Sequence, residues 1–97
     1  MLDLTKINIR TFEVKISDSL TLTLNPPKIK VLKKIMSVAS TNNIEDLVTG
    51  ITLILNSNKN KKKIDESWVE DNITFDEMLT LTKAYFEWVA EIQNNPN

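Results

Sequence analysis

The stretch Phe12-Glu13-Val14-Lys15-Ile16-Ser17-Asp18-Ser19-Leu20-Thr21-Leu22-Thr23-Leu24 decides the fold class of this 97-residue chain. Phe12, Val14 and Ile16 share one parity, and Leu20, Leu22 and Leu24 alternate with Thr21 and Thr23. This period of two puts every apolar side chain of a strand on one face. Ser17, Asp18 and Ser19 between the two runs are turn formers, so the stretch reads as a β-hairpin with one greasy face. Ile7 and Ile9 extend the alternation toward the N-terminus on the other parity. A bulge or break is therefore expected near Arg10 and Thr11, and the hairpin is expected to span about 6–25. Two strands alone are marginal in water, so this face must lie on helices or join another chain's sheet.

Asn25-Pro26-Pro27 ends the hairpin, and the pattern beyond it changes to helical. Proline is tolerated where a helix begins because its missing N–H is not needed there. From Lys28 to about Ala39, the residues Ile29, Val31, Leu32, Ile35, Met36, Val38 and Ala39 form one apolar arc, opposite Lys30, Lys33, Lys34 and Ser37. Asn42-x-x-Glu45 resembles a capping box opening a second helix to about Leu55, with Leu47, Val48, Ile51, Ile54 and Leu55 inward. Gly50 beside that stripe costs about 1 kcal/mol of helix propensity, which close helix packing explains. Residues 56–63 are polar and lysine-rich without a period, an expected exposed loop. Asp65 is the expected N-cap of a short helix with Trp68 and Val69 inward and Asn72 as its stop. Thr74-Phe75-Asp76-Glu77 is a capping box, with Ile73 placed to staple onto Met78, and it starts a long helix to about Gln93. The sequence therefore predicts a single α+β domain over 1–97, an N-terminal β-hairpin followed by three or four α-helices in 27–93.

Composition excludes most chemistry. The chain has no His, no Cys and one Gly, which removes nucleophile–His pairs, Cys/His zinc sites, disulfides and glycine-rich phosphate loops. Carboxylates and lysines remain, and they support metal-dependent phosphodiester or glycoside chemistry only when tightly clustered. The one dense group, Asp65, Glu66, Glu70 and Asp71, lacks the alternating ligands and glycine turn of a calcium loop. It suits a hydrated helix start, where acids favour the dipole. No enzyme, cofactor or metal is expected. No apolar run reaches signal-peptide or membrane-spanning length, and the absence of cysteine agrees with a cytoplasmic setting.

Charge is divided along the chain. Residues 1–63 hold eleven basic and five acidic side chains, a balance of plus 6, while 64–97 hold eight acids and Lys83, a balance of minus 7. The halves neutralise each other within one fold, or a basic face on one copy meets an acidic face on the next. In the second case Lys30, Lys33 and Lys34 pair with Glu87 and Glu91. The last helix adds a second sign of assembly. Its apolar arc runs Trp88, Leu81, Ile92, Tyr85, Met78, Val89, Phe75, Phe86, Leu79, Ala90 and covers about 200°, where a surface helix needs roughly 100°. Either a small bundle wraps it on two sides, or the Leu81, Tyr85, Trp88 and Ile92 edge docks on another protein. Alternatively, the lysines of the first helix and of residues 59–63 contact phosphates as in a small nucleic-acid-associated regulator. Against this stand a single Arg, no aromatic among those lysines, and a net charge of −1.

Several of these features occur together in one known family. Phe12-Glu13-Val14-Lys15-Ile16 turning to Leu20-Thr21-Leu22-Thr23-Leu24, Pro26-Pro27-Lys28 before a basic helix, Ile51-Thr52-Leu53-Ile54-Leu55 before a lysine loop, Ser67-Trp68-Val69-Glu70-Asp71-Asn72, Ala84-Tyr85-Phe86-Glu87-Trp88-Val89 and a closing Asn95-Pro96-Asn97 follow one another. In this order the chain resembles the tail assembly chaperones of long-tailed phages and prophages of Gram-positive bacteria. The resemblance implies a non-enzymatic protein of the bacterial host cytoplasm. It implies binding to the long, hydrophobic tape measure protein to keep it soluble while tail tube subunits polymerise around it. It also implies self-association and, in many members, a longer frameshifted form as a further partner. No residue-level binding motif transfers with it.

Overall fold

A computed structural model describes residues 1–7, 10–41 and 43–94. Strands β1 (Phe12–Ser17) and β2 (Leu20–Leu24) form an antiparallel hairpin, followed by helices α1 (Ile29–Ala39), α2 (Ile44–Asn56), α3 (Glu66–Asn72) and α4 (Phe75–Asn94). The α+β architecture is the one the alternation and the helical periods predict.

The hairpin is shorter than the sequence pattern suggests. Phe12 pairs with Leu24 and Val14 with Leu22, so both greasy runs fall on one face, and the register shifts between Lys15 and Ser17. The expected break falls at Arg10 and Thr11, which lie outside the strand that starts at Phe12, and a further irregularity lies at the turn end of β1, where the short turn at Asp18 is closed by an extra residue on the first strand. Ile7 is not in a strand. Leu4–Lys6 form a 3-10 turn that Asp3 caps by accepting from the Thr5 amide at 3.0 Å and hydroxyl at 2.6 Å. Those two bonds, the hydroxyl first, stabilise the carboxylate and hold Asp3 below the ordinary acid range. Ile9 lies outside the described residues, as does Asn42, the expected cap of the second helix.

Helix α2 is the pivot, with α1, α3, α4 and β2 all packed on it. Leu22, Leu24, Ile35, Ile51, Ile54, Leu55, Val69 and Tyr85 are the largest fully buried side chains of the resulting core. Each aliphatic side chain taken wholly out of water contributes about 1.5–3 kcal/mol. The N-cap shown is Asn43, whose side chain accepts from the Glu45 amide at 2.8 Å. Gly50 has the role its position suggests: a Cβ there would sit 3.1 Å from Val38 Cγ2, so its absence lets α1 close onto α2. Helix α1 begins after both prolines, with Lys28 at the cap position and no side-chain cap bond. It buries Ile35 and Val38 and leaves Ile29 and Met36 exposed, so its wide arc is only partly used.

Residues 56–63 differ most from expectation. They form an organised connection, not merely a solvated loop. The Asn56 side chain donates to the Thr52 and Ile64 carbonyls at 3.0 and 2.7 Å and accepts from the Ile64 amide at 2.8 Å. Asn58 donates to Leu55 and Lys62 carbonyls and accepts from the Lys62 amide. Lys61 adopts φ 60 to complete the turn, and Ile64 is buried behind it. The loop also covers the outer edge of β2: Asn25 N–H donates to Ser57 O, Lys59 N–H to Thr23 O, and Thr23 N–H to Asn60 Oδ1. Backbone bonds from Ser57 and Lys59 and the Asn60 side chain thus serve this edge in place of a third strand, which a compositional reading of a lysine-rich segment does not reveal.

The remaining signals act as read. Asp65 accepts from the Trp68 amide at 2.8 Å and caps α3, in which Val69 is buried and Trp68 half-buried. Thr74 and Glu77 close a reciprocal box at 2.8 and 3.2 Å, worth about 1 kcal/mol to the start of α4.

Candidate functional site

Helix α4 carries the widest apolar arc of the chain, and its surface is where the candidate docking residues lie. Its Met78, Leu81, Tyr85 and Trp88 are buried, Ile92, Phe86 and Val89 are half-buried, and Phe75 and Leu79 are exposed. Of the two alternatives for this arc, the one in which the bundle wraps it describes Leu81, Tyr85 and Trp88, which are buried, while Ile92 stays half-buried. Leu81, Tyr85 and Trp88 belong to the chain's own core, and Ile92 packs against it. Helix α2 packs on α4, and the hairpin adds Phe12, which stacks on Trp88 with ring centroids 5.4 Å apart, while within α4 Tyr85 contacts Trp88 and Phe86 at 5.7 Å. Arg10 anchors the same approach by donating to the Glu91 carbonyl at 3.3 Å.

One group in this core is not satisfied. The Tyr85 hydroxyl is buried without a hydrogen-bond partner. Burial of the phenol disfavours its charged form and pushes its pKa up to about 12.

The opposite edge of α4 is uncovered. Phe75 and Leu79 retain 50% and 45% of their surface, and Ile44 at the start of α2 retains 60%. With Ala39, Leu47, Thr41, Thr82 and Lys83 they line a groove of about 470 Å³ between the α1–α2 junction and α4. Three large exposed apolar side chains around one depression form a continuous patch, where single scattered ones need no explanation. The sequence held a signal for this patch. Ile44 is apolar at the first, solvent-facing turn of a capped helix, and Phe75 and Leu79 are four apart at the far end of the α4 arc.

A second groove, of about 390 Å³, runs between β1 and α4 and is lined by Phe12, Val14, Ile16, Ile73, Leu81 and Ala84, with Glu13, Lys15, Asp76, Glu77 and Thr80 at its rim. The charged residues singled out for self-association, Lys30, Lys33, Lys34, Glu87 and Glu91, are all exposed. No ion pair joins the α1 lysines to the acids of α4 among the described residues. No three acidic side chains among the described residues gather in a way that would hold a metal ion. No helix of the described residues is long and apolar enough to cross a membrane. Comparison with known protein families, with curated proteins and with solved structures finds no match.

Proposed function

We propose that this chain is a non-enzymatic interaction protein that shields apolar segments of a larger client, in the role of a tail assembly chaperone for a tape measure protein in the host cytoplasm. The observation that carries the reading is the groove of Ile44, Phe75 and Leu79, an apolar surface left open by a chain whose own core is already closed. A groove bounded by helix sides suits an amphipathic helical segment, whose anchors recur every three or four residues and match the spacing of Phe75 and Leu79. Lys83 at the rim offers a charge to an acidic flank of such a segment. Exposed Lys30, Lys33 and Lys34 on one copy and Glu87 and Glu91 on another provide opposite charges for ordering neighbouring copies along an elongated client. The resemblance in element order supports a tape measure protein as the client, and the exposed groove supports this surface as its contact.

The test is co-expression with a tape measure fragment, reading the fragment's solubility and its co-purification. Phe75→Ser with Leu79→Ser is expected to abolish both while circular dichroism and thermal unfolding stay close to wild type. A client equally insoluble with and without the wild-type chain would reject the reading.

A further inference from the structure

The two edges of the hairpin are treated differently. The outer edge of β2 is bonded to residues 57–60, whereas no hydrogen bond reaches the outer edge of β1 among the described residues. An unpaired edge presents a row of N–H and C=O groups ready to accept another strand. On the inner face of β1, Phe12, Val14 and Ile16 are only half-buried, while Leu22 and Leu24 of β2 are fully covered. The half-covered side chains line the groove against Leu81 and Ala84 of α4. The sheet is thus incomplete on one side only, and the missing cover must supply both backbone partners and apolar side chains of strand spacing.

We infer that a second copy of β1 supplies them: two chains pair antiparallel about a two-fold axis through Val14, merging two hairpins into one four-stranded sheet. The charges on the outer face select this occupant and this register. Glu13 and Lys15 are both exposed. With the axis at Val14, each Glu13 stands opposite Lys15 of the other copy, twice per dimer. On the inner face Phe12 meets Ile16, and Val14 meets its own equivalent. An axis at Glu13 or at Lys15 sets that charge against itself, and like charges directly opposite destabilise a sheet. A slip by one residue turns the apolar face of one hairpin toward the solvent face of the other. Charged residues on an edge strand ordinarily block pairing, but here their signs alternate, so self-pairing neutralises them. The existing Lys15–Asp18 contact, 3.4 Å and exposed, does not compete, since such pairs hold little energy. The bulge between Lys15 and Ser17 bends the strand at its end and keeps the paired run short. The contact is isologous and closes at two copies, unlike head-to-tail stacking through Lys30, Lys33 and Lys34.

This pairing gives a surface to the self-association in the function proposed above. It is read by copy number and not by client solubility, so either can fail alone. The experiment is sedimentation equilibrium on the full chain and charge variants, with circular dichroism to confirm folding. The wild type is expected to dimerise reversibly. Glu13→Lys and Lys15→Glu, each alone, are expected to weaken association roughly tenfold or more, since two attractive pairs become two repulsive ones. An equimolar mixture of the two is expected to recover association, because each then carries the charge that the other strand faces. Because the chain has no cysteine, Val14→Cys provides an independent reading. Opposed residues in an antiparallel pair have Cα atoms about 4.5–5.5 Å apart, within disulfide reach. This variant should therefore oxidise to a covalent dimer, while Ser40→Cys, exposed at the end of α1 and outside the hairpin, should not. A wild type that stays monomeric, single variants that associate like wild type, a mixture that does not recover, or a Val14→Cys chain that cross-links no faster than Ser40→Cys would each overturn the inference. Capture of an extended foreign peptide by a monomeric β1 edge would do the same.

Discussion

Helix α4 has two apolar edges that a helical wheel treats alike. Leu81, Tyr85 and Trp88 lie in the core, where Phe12 of the hairpin stacks on Trp88. Phe75 and Leu79, at the other end of the arc, look onto an open groove shared with Ile44. The difference teaches that an over-wide stripe is satisfied from one side by the first apolar partner that reaches it. In this chain that partner is α2, joined by the hairpin where Phe12 stacks on Trp88 and Arg10 reaches the Glu91 carbonyl. The hairpin is only two strands wide, and the flank of Phe75 and Leu79 stays exposed. A similar asymmetry governs the sheet, where residues 57–60 close the β2 edge and nothing described closes that of β1.

The contrast between the edges is open to direct attack. Trp88→Ala should cost about 3–5 kcal/mol in urea unfolding, as large-to-small changes in packed aromatic sites do. A loss below about 1 kcal/mol would place Trp88 on the surface and erase the distinction. Next in size, Asn56→Ala removes three hydrogen bonds and strands the Ile64 amide and carbonyl. It should cost about 2 kcal/mol and speed hydrogen exchange at Ile64 more than at Leu81, which would separate the loop's contribution from that of the covered helix edge.

Tyr85→Phe tests the one polar fault on the covered edge. Removing an unpartnered buried hydroxyl should raise stability at neutral pH by about 1 kcal/mol. The same variant sharpens the alkaline limb. The folded phenol titrates near 12 while the unfolded one titrates near 10, so between those values the unfolded state releases the proton first. Stability linked to this group is complete below pH 10 and falls as pH rises, by about 2 kcal/mol at pH 12. The phenylalanine variant should lose less over that window, and parallel losses in the two proteins would assign the alkaline transition elsewhere. Smallest of all, Leu79→Ser on the open edge should leave stability within about 0.5 kcal/mol. A larger loss would show that the groove is part of the core.

Much of the fold is legible because its signals are local. Alternation from Phe12 to Leu24, the prolines at 26 and 27, and the caps at Asp65 and Thr74 depend on residues within one turn or one strand pair. The close packing at Gly50 is also readable, since a glycine inside an apolar helical stripe has few other reasons to be there. The loop at residues 56–63 is not, because Asn56 and Asn58 act through carbonyls and amides brought near by the turn itself, and lysine content hides that order. The same limit leaves the choice between the two alternatives for α4 open in the sequence. Arc width can be counted from the sequence, but the flank that receives the hairpin depends on how the chain leaves β2, passes α1 and α2, and returns.

The amino-acid sequence by itself determined which segments are strand and helix, where four of the elements begin or end, and that histidine, cysteine and glycine-loop chemistry is absent. Those properties follow from side-chain spacing and from hydrogen bonds between near neighbours. Only the tertiary structure decided that Tyr85 and Trp88 are covered while Phe75, Leu79 and Ile44 are not, and that β2 is sealed while β1 is open. Burial is a property of pairs of distant surfaces, and the geometry that selects among equally apolar faces exists only once the whole chain has closed around α2.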